Sequence, residues 1–338
     1  MPADTPLLDR DLARRAIASS AGGILDVLRD VVDEGTALLG RVVQTVGAAG
    51  ESRAGHVGLA LLLRHAVEMA DGVDELVRAG AVQPSLLQVR AILEARMQLL
   101  YVLGARNPVS PNPLGPRDHD PVPRDRTGAA LTGAALAQVQ DSRGAAYFVA
   151  EIRRQLRRVE SLDPAAMGDR LEELLGTRTV PSYITDPAVQ AEATAGAASL
   201  RAILSEPAYA PANAEFDRMR GRSSHDVQWY SLWGGPRSVR ALARSVGMAF
   251  QYDAMYAGSS RVTHGGDVLA QLGRKLAGGG RSVAPLRQPD RLRDVVASYV
   301  IHMLMLYRSV MEEVRPDELE RVWPEWLRRW WPAAQAAR

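Results

Sequence analysis

The sequence has no cysteine, a single lysine (Lys275) and no apolar run long enough to span a bilayer. Without cysteine the chain cannot form disulfides, a thiolate metal site or a cysteine nucleophile. The lack of a long apolar run argues against a transmembrane helix, and the first residues lack the basic and apolar regions of a secretory signal. We therefore expect a cytoplasmic protein that does not associate with membranes.

The scarcity of lysine means that nearly all positive charge is carried by arginine. The net charge is only +2, although the pI is about 9.0. Arginine keeps its proton far above neutral pH, so it raises the pI without creating a strong field. A basic cluster lies between Glu151 and Glu160 and comprises Arg153, Arg154, Arg157 and Arg158. The flanking carboxylates favour a solvated helix face over a phosphate-binding track.

The spacing of apolar residues predicts an all-α fold. Apolar side chains recur every three or four residues in most segments, for example from Ile24 to Val46, and no run alternates as a strand would. We expect one helical domain over residues 1–338. Its core would be a bundle over about 55–310, preceded by an extra N-terminal helix.

Four segments interrupt or follow this pattern. We expect a proline-rich loop at 104–127, an irregular stretch at 206–224 and a glycine-rich loop at 265–289. The C-terminal tail, 316–338, is rich in tryptophan. Trp323, Trp326 and Trp330 share a helical face, which predicts that the tail packs onto the body of the chain or onto a second subunit.

The first candidate site is a polar stripe on one predicted helix. Tyr256, Ser260 and His264 are four residues apart and therefore lie on one helix face. Gly265 would end this helix and leave His264 in its last turn, where the helix dipole favours the imidazolium. Such a stripe can carry out acid–base chemistry or bind a polar ligand. Alternatively, it is a polar seam whose hydroxyls bond to carbonyls one turn earlier.

The second candidate site is the pair Arg90 and Glu94 in an otherwise apolar helix. At positions i and i+4 the guanidinium and the carboxylate share a face. Two polar stripes in apolar helices need partners, and each is the best partner available to the other. We therefore expect both to meet in the bundle interior. The alternative is an ordinary ion pair on the surface.

Motifs for metals and cofactors are missing. The chain has neither Glu-x-x-His nor His-Glu-x-x-His, and His65-Ala-Val-Glu68 runs in the opposite order. There is also no dinucleotide-binding glycine motif, phosphate-binding loop or nucleophile elbow. We predict no metal and no cofactor, and we keep His65 and Glu68 as candidate ligand-binding residues.

Three motifs in this order resemble a bacterial family of helical proteins known as a domain of unknown function, distantly similar to the HEPN domains of toxin and defence ribonucleases. The motifs are Arg90-x-x-x-Glu94, Trp233-Gly234 with Ser238, and Tyr256-x-x-x-Ser260-x-x-x-His264-Gly265. The resemblance covers about residues 55–310. HEPN ribonucleases place an arginine before the histidine with four to six residues between them. Here Arg261 lies three residues before His264.

The resemblance implies an effector that acts on RNA or a nucleotide. His264 would be the general acid or base, Tyr256 and Ser260 hydrogen-bond donors, and Arg90, oriented by Glu94, the cation. Arg261 and Trp233 are further candidates for ligand binding. The alternative is a non-catalytic helical module that binds a small anionic ligand or a protein partner. The resemblance and the tryptophan face also suggest a homodimer.

Overall fold

The computed structural model describes residues 8–21, 23–48, 53–105, 122–124, 127–221, 227–263, 272–275, 281–283, 287 and 291–335. The fold is all-α, as the apolar spacing predicted, and consists of bundled helices. Within these ranges no helix is both long and apolar enough to cross a membrane.

Within the described residues, the helices follow one another along the chain, and one short hairpin lies between the tenth and eleventh. They are α1 (Arg10–Ala21), α2 (Ile24–Ala48), α3 (Ala54–Arg78), α4 (Val82–Leu103), α5 (Gly133–Glu160), α6 (Pro164–Leu175), α7 (Pro187–Leu204), α8 (Ala210–Arg220), α9 (Val239–Ser245), α10 (Ala249–Thr263), α11 (Leu292–Val314) and α12 (Pro316–Gln335). A 3₁₀ helix, Trp229–Gly234, precedes α9.

Local capping signals fix several helix ends. The Asp163 carboxylate accepts from the backbone N–H of Ala166 at 2.9 Å, and Asp186 accepts from Ala188 at 2.8 Å. Each aspartate precedes a proline, whose fixed φ suits the first helical position. Gly104 ends α4 with a left-handed φ of 67°, a conformation that glycine adopts without steric cost.

The expectation of an irregular stretch over 206–224 is wrong, because α8 occupies most of it. Tertiary packing explains the helix. Phe216 is buried, and the ring of Tyr209 packs on Phe148 of α5 with centroids 4.7 Å apart. Pro211 sits in the first turn, where its missing N–H costs nothing.

The glycine-rich loop also differs from the expectation, because it contains a short hairpin. Strand β1 (Leu272–Lys275) pairs antiparallel with β2 (Arg281–Val283), with Leu272 opposite Val283. The strands are too short to show an alternating pattern in the sequence. Most of the proline-rich loop at 104–127 lies outside the described residues.

The chain forms two compact units. The first comprises 1–52, 59–122 and 239–338, and the second comprises 53–58 and 123–238. Compact units can belong to one cooperative domain, so a single domain over 1–338 stays a prediction.

The first unit is organised around α11, whose inner face is fully buried. This helix packs on α2, α4 and α12. Tyr299 and Tyr307 donate their hydroxyls to the carbonyls of Leu28 (3.2 Å) and Val31 (2.7 Å). Burial raises the pKa of both phenols well above the ordinary value, so they remain neutral donors.

Two tryptophans of the tail, Trp326 and Trp330, pack onto the body of the same chain. Trp326 and Trp330 are 1% and 0% exposed, and their rings stack with centroids 5.6 Å apart. The indole N–H of Trp330 donates to the Asp30 carboxylate at 2.6 Å. The sequence left two packing partners open, the body of the chain and a second subunit. Trp326 and Trp330 pack on the body, against α2 and α11.

The second unit is built on α5, which packs on α7, α8 and the 3₁₀ helix. The start of α3 crosses α5 where both helices carry glycine. A Cβ added to Gly58 would lie 2.8 Å from the Gly144 Cα. The Asp141 carboxylate secures the crossing, since it accepts from the Gly55 N–H at 2.9 Å and from Arg53.

This close approach predicts that Gly144→Ala destabilises the chain. The new methyl group would lie 2.6 Å from the Gly55 Cα, a backbone atom that cannot rotate away. We expect a loss of about 1–3 kcal/mol in the free energy of unfolding, measured by urea denaturation. Gly196→Ala on α7 is the control. It meets no atom within 4 Å and should leave stability unchanged or raise it by up to about 1 kcal/mol.

Candidate functional site

The candidate site lies where α10 packs on α4 in the first unit. A salt bridge between α9 and α10, from Arg240 to Asp253 at 3.2 Å, helps to position α10. This packing sets Tyr256 against Arg90. The structure thus brings together three residues that the sequence analysis singled out: Arg90, Glu94 and Tyr256.

The Arg90 guanidinium is held by two contacts. Its Nε donates to Glu94 Oε1 at 2.9 Å, and its Cζ lies 4.2 Å from the centroid of the Tyr256 ring. Partial burial lowers the pKa of Arg90, but the hydrogen bond and charge of Glu94 and the neighbouring Tyr256 raise it, and the net direction is upward. The side chain is therefore a fixed cation.

Tyr252 completes the cluster, and the sequence analysis missed it. Its ring packs on that of Tyr256 with centroids 5.1 Å apart. Burial, followed by the charges of Tyr256 and Glu94, raises the pKa of Tyr252, while Arg90 opposes the shift. The signal was present in the sequence, because Tyr252 precedes Tyr256 by the same four residues that separate Tyr256 from Ser260.

The contacts of this cluster contribute little to stability. A cation–π contact of this exposure is worth about 0.5–1 kcal/mol, and an i,i+4 ion pair a few tenths of a kcal/mol. The partly exposed phenol of Tyr256 and the oriented guanidinium of Arg90 can bind an anionic ligand.

The expectation of a site in the bundle interior is wrong for these residues. The side chains of Arg90 and Glu94 are 26% and 28% exposed, and Tyr256 is 37% exposed. The physical reason is the position of Arg90 and Glu94 on α4. Val89, Ile92 and Leu93 face the core, so Arg90 and Glu94 lie at the margin of the buried face. A ligand can reach them from solvent.

The remaining members of the polar stripe are only partly described. Ser260 and Arg261 belong to α10, which confirms a helix through the first two positions of the stripe, but their side chains lie outside the described residues. His264 and Gly265 lie outside the described residues altogether.

His65 and Glu68 are not part of the cluster. Glu68 is exposed and His65 half-buried, and within the described residues no hydrogen bond or ion pair joins either to Arg90 or Glu94. Across the described part of the chain, no three His, Asp or Glu side chains are grouped as a metal ion requires.

Trp233 belongs to the second unit, where strained backbone presents its side chain to solvent. It is 49% exposed and has a left-handed φ of 52°. The backbone N–H of Trp233 donates to Glu215 Oε1 at 3.2 Å, and Arg218 in turn donates to both oxygens of Glu215. Backbone strain of this kind clusters at ligand-binding and active sites, so Trp233 stays a candidate for ligand binding.

A second polar pair, Arg96 and His302, lies deep in the first unit and was not predicted. Arg96 Nη1 lies 3.3 Å from His302 Nδ1, and the residues are 2% and 5% exposed. Burial, reinforced by the charge of Arg96, lowers the pKa of His302 to about 3. Burial also lowers the pKa of Arg96 to about 10. Since Arg96 can only donate, Nδ1 accepts and the imidazole is neutral.

Comparison of the chain with models of protein families, with curated proteins and with solved structures finds no match.

Proposed function

We propose that the chain is a HEPN-like helical effector that acts on RNA or a nucleotide at the cluster of Arg90, Glu94, Tyr252 and Tyr256. The observation that supports this most is the held guanidinium of Arg90, 2.9 Å from Glu94 and 4.2 Å from the Tyr256 ring centroid. Glu94 engages Nε, and a guanidinium has further N–H groups that can donate to a phosphate. Tyr256 is 37% exposed and offers aromatic surface that a base can contact.

The chemistry of this proposal rests on the stripe that continues from Tyr256. By its spacing, Ser260 follows one turn later as a hydrogen-bond donor, and His264 one turn after that as the general acid or base. Arg261 would add a second cation. Arg90 would neutralise the phosphate while His264 moves the proton.

Location and assembly belong to the same proposal. We place the effector in the cytoplasm as a homodimer. The resemblance to HEPN bundles, which tend to pair, supports the homodimer. The tryptophan face does not support it, because Trp326 and Trp330 are already buried within one chain.

The proposal predicts that expression of the wild-type chain slows bacterial growth and fragments total RNA, and that His264→Ala abolishes both effects. Arg90→Ala should also abolish them, because the phosphate loses its cation. Arg170→Ala is the control for charge, since Arg170 is exposed on α6. Growth curves and gel analysis of total RNA at matched expression levels provide the measurement.

Two results would contradict the catalytic proposal. Equal toxicity of wild type and His264→Ala would mean that the histidine is not the acid or base. Unharmed cells and intact RNA, together with an Arg90-dependent thermal shift on addition of a mononucleotide, would instead identify a non-catalytic module that binds a small anionic ligand.

A further inference from the structure

The second unit contains a cleft between α5, α7 and α8 with a volume of about 450 Å³. Four arginines line it, namely Arg153, Arg157, Arg201 and Arg220, and the one carboxylate among the lining residues is Glu160. This volume falls within the range of small-molecule sites, about 300–1,000 Å³. The cleft therefore combines an excess of guanidinium groups with room for more than a single ion.

Two of the four arginines are bonded to other side chains of the protein. Arg153 donates to Asn213 Oδ1 at 2.5 Å and to Asp217 Oδ1 at 2.7 Å, and its guanidinium lies 5.3 Å from the centre of the Phe216 ring. Arg201 donates to Glu160 at 2.7 Å. The expectation of a solvated face is therefore wrong for Arg153, whose side chain is 15% exposed because α8 packs over it.

The other two arginines, Arg157 and Arg220, are available to a ligand. Within the described residues neither forms a salt bridge, and both are exposed. Since Glu160 is engaged by Arg201, no carboxylate of the cleft neutralises them. Guanidinium groups that line one cleft without counter-charges favour an anion with several oxygens, which can accept from more than one of them.

The cleft also has an apolar side. Leu156 and Leu204 line it together with the arginines, and Leu204 is 6% exposed. Apolar lining beside convergent cations suits an organic molecule that carries a phosphate.

We propose that this cleft binds a small phosphorylated molecule, with Arg157 and Arg220 as the principal phosphate ligands and Arg153 as a fixed donor beside them. The site uses none of the residues of the Arg90 cluster. It therefore does not depend on the function proposed for that cluster.

Isothermal titration of the full chain at low salt, with inorganic pyrophosphate and with adenosine monophosphate as probes, tests this proposal. We expect saturable binding of one molecule per chain for both probes. Arg157→Gln should weaken binding roughly tenfold, since it removes a charge-assisted hydrogen bond. The matched control is Arg158→Gln, which removes the same charge from the next residue of α5 without lining the cleft. It should change the affinity by less than about twofold.

Glu160→Gln should change the affinity in the opposite direction. It removes the carboxylate of the cleft and releases Arg201, so binding of both probes should tighten severalfold.

Several results would overturn the proposal. One is the absence of saturable binding by the wild type, and another is equal weakening by Arg157→Gln and Arg158→Gln. Binding of pyrophosphate but not adenosine monophosphate would also overturn it, since the cleft would then hold only a free anion. If neither probe binds, but a short RNA binds and is weakened equally by Arg157→Gln and Arg158→Gln, the face would instead be a nucleic-acid track. Arg90→Gln should leave both titrations unchanged, which separates this site from the Arg90 cluster.

Discussion

Trp330→Ala should lower the free energy of unfolding by about 3–5 kcal/mol, the range for loss of a large aromatic side chain from a core. Trp330 is fully buried, stacks on Trp326 and lies 6.3 Å from the centre of the Tyr307 ring. Alanine would leave a cavity and also leave the Asp30 carboxylate without its indole donor. Urea denaturation followed by far-UV circular dichroism measures the loss.

Trp331→Ala is the matched control for this prediction. Trp331 is the next residue of α12 but is 36% exposed, so its replacement should cost less than about 1 kcal/mol. Similar losses for the two variants would contradict the docking of α12 on α2 and α11. The same conclusion would follow if Trp330→Ala changed the molecular mass in light scattering but not the unfolding midpoint.

The second large effect concerns His302, which should make the chain sensitive to acid. The pKa of His302 is about 3 in the folded chain, against an ordinary value of 6.5. Between these values the unfolded chain binds a proton that the folded chain does not, so stability falls as pH falls. The contribution of neutral His302 to the free energy of unfolding is complete above pH 6.5 and is lost progressively as the pH falls toward 3. Between pH 7 and pH 5 the loss is about 2 kcal/mol.

His302→Gln isolates this contribution. Glutamine does not titrate and its side-chain carbonyl can still accept from Arg96. The difference in unfolding free energy between pH 7 and pH 5 should therefore be about 2 kcal/mol smaller in the variant than in the wild type. Equal pH dependence in the two proteins would show that His302 is protonated, or accessible to solvent, in the folded chain.

Several helix boundaries carry a local signal in the sequence. Asp163-Pro164 and Asp186-Pro187 placed the starts of α6 and α7, and Gly104 placed the end of α4. Helix α8 was missed because its stability depends on Phe216 and Tyr209 packing against another helix, which no local pattern records.

The candidate site was also predictable only in part, because spacing along a helix is local and burial is not. The i,i+4 spacing identified the Arg90–Glu94 pair, and the argument that polar stripes need partners anticipated the approach of Tyr256. Exposure was not predictable, since it depends on which helices cover α4. The Arg96–His302 pair joins residues 206 apart, and sequence spacing carries no information on such contacts.

The most direct test of RNA binding at the Arg90 cluster is the binding of a fluorescent single-stranded RNA to the purified full chain, followed by anisotropy. We expect that the wild type binds, that Arg90→Gln weakens binding about tenfold, and that Arg170→Gln changes it by less than about twofold. The absence of binding by the wild type, or equal affinities for Arg90→Gln and Arg170→Gln, would contradict this proposal.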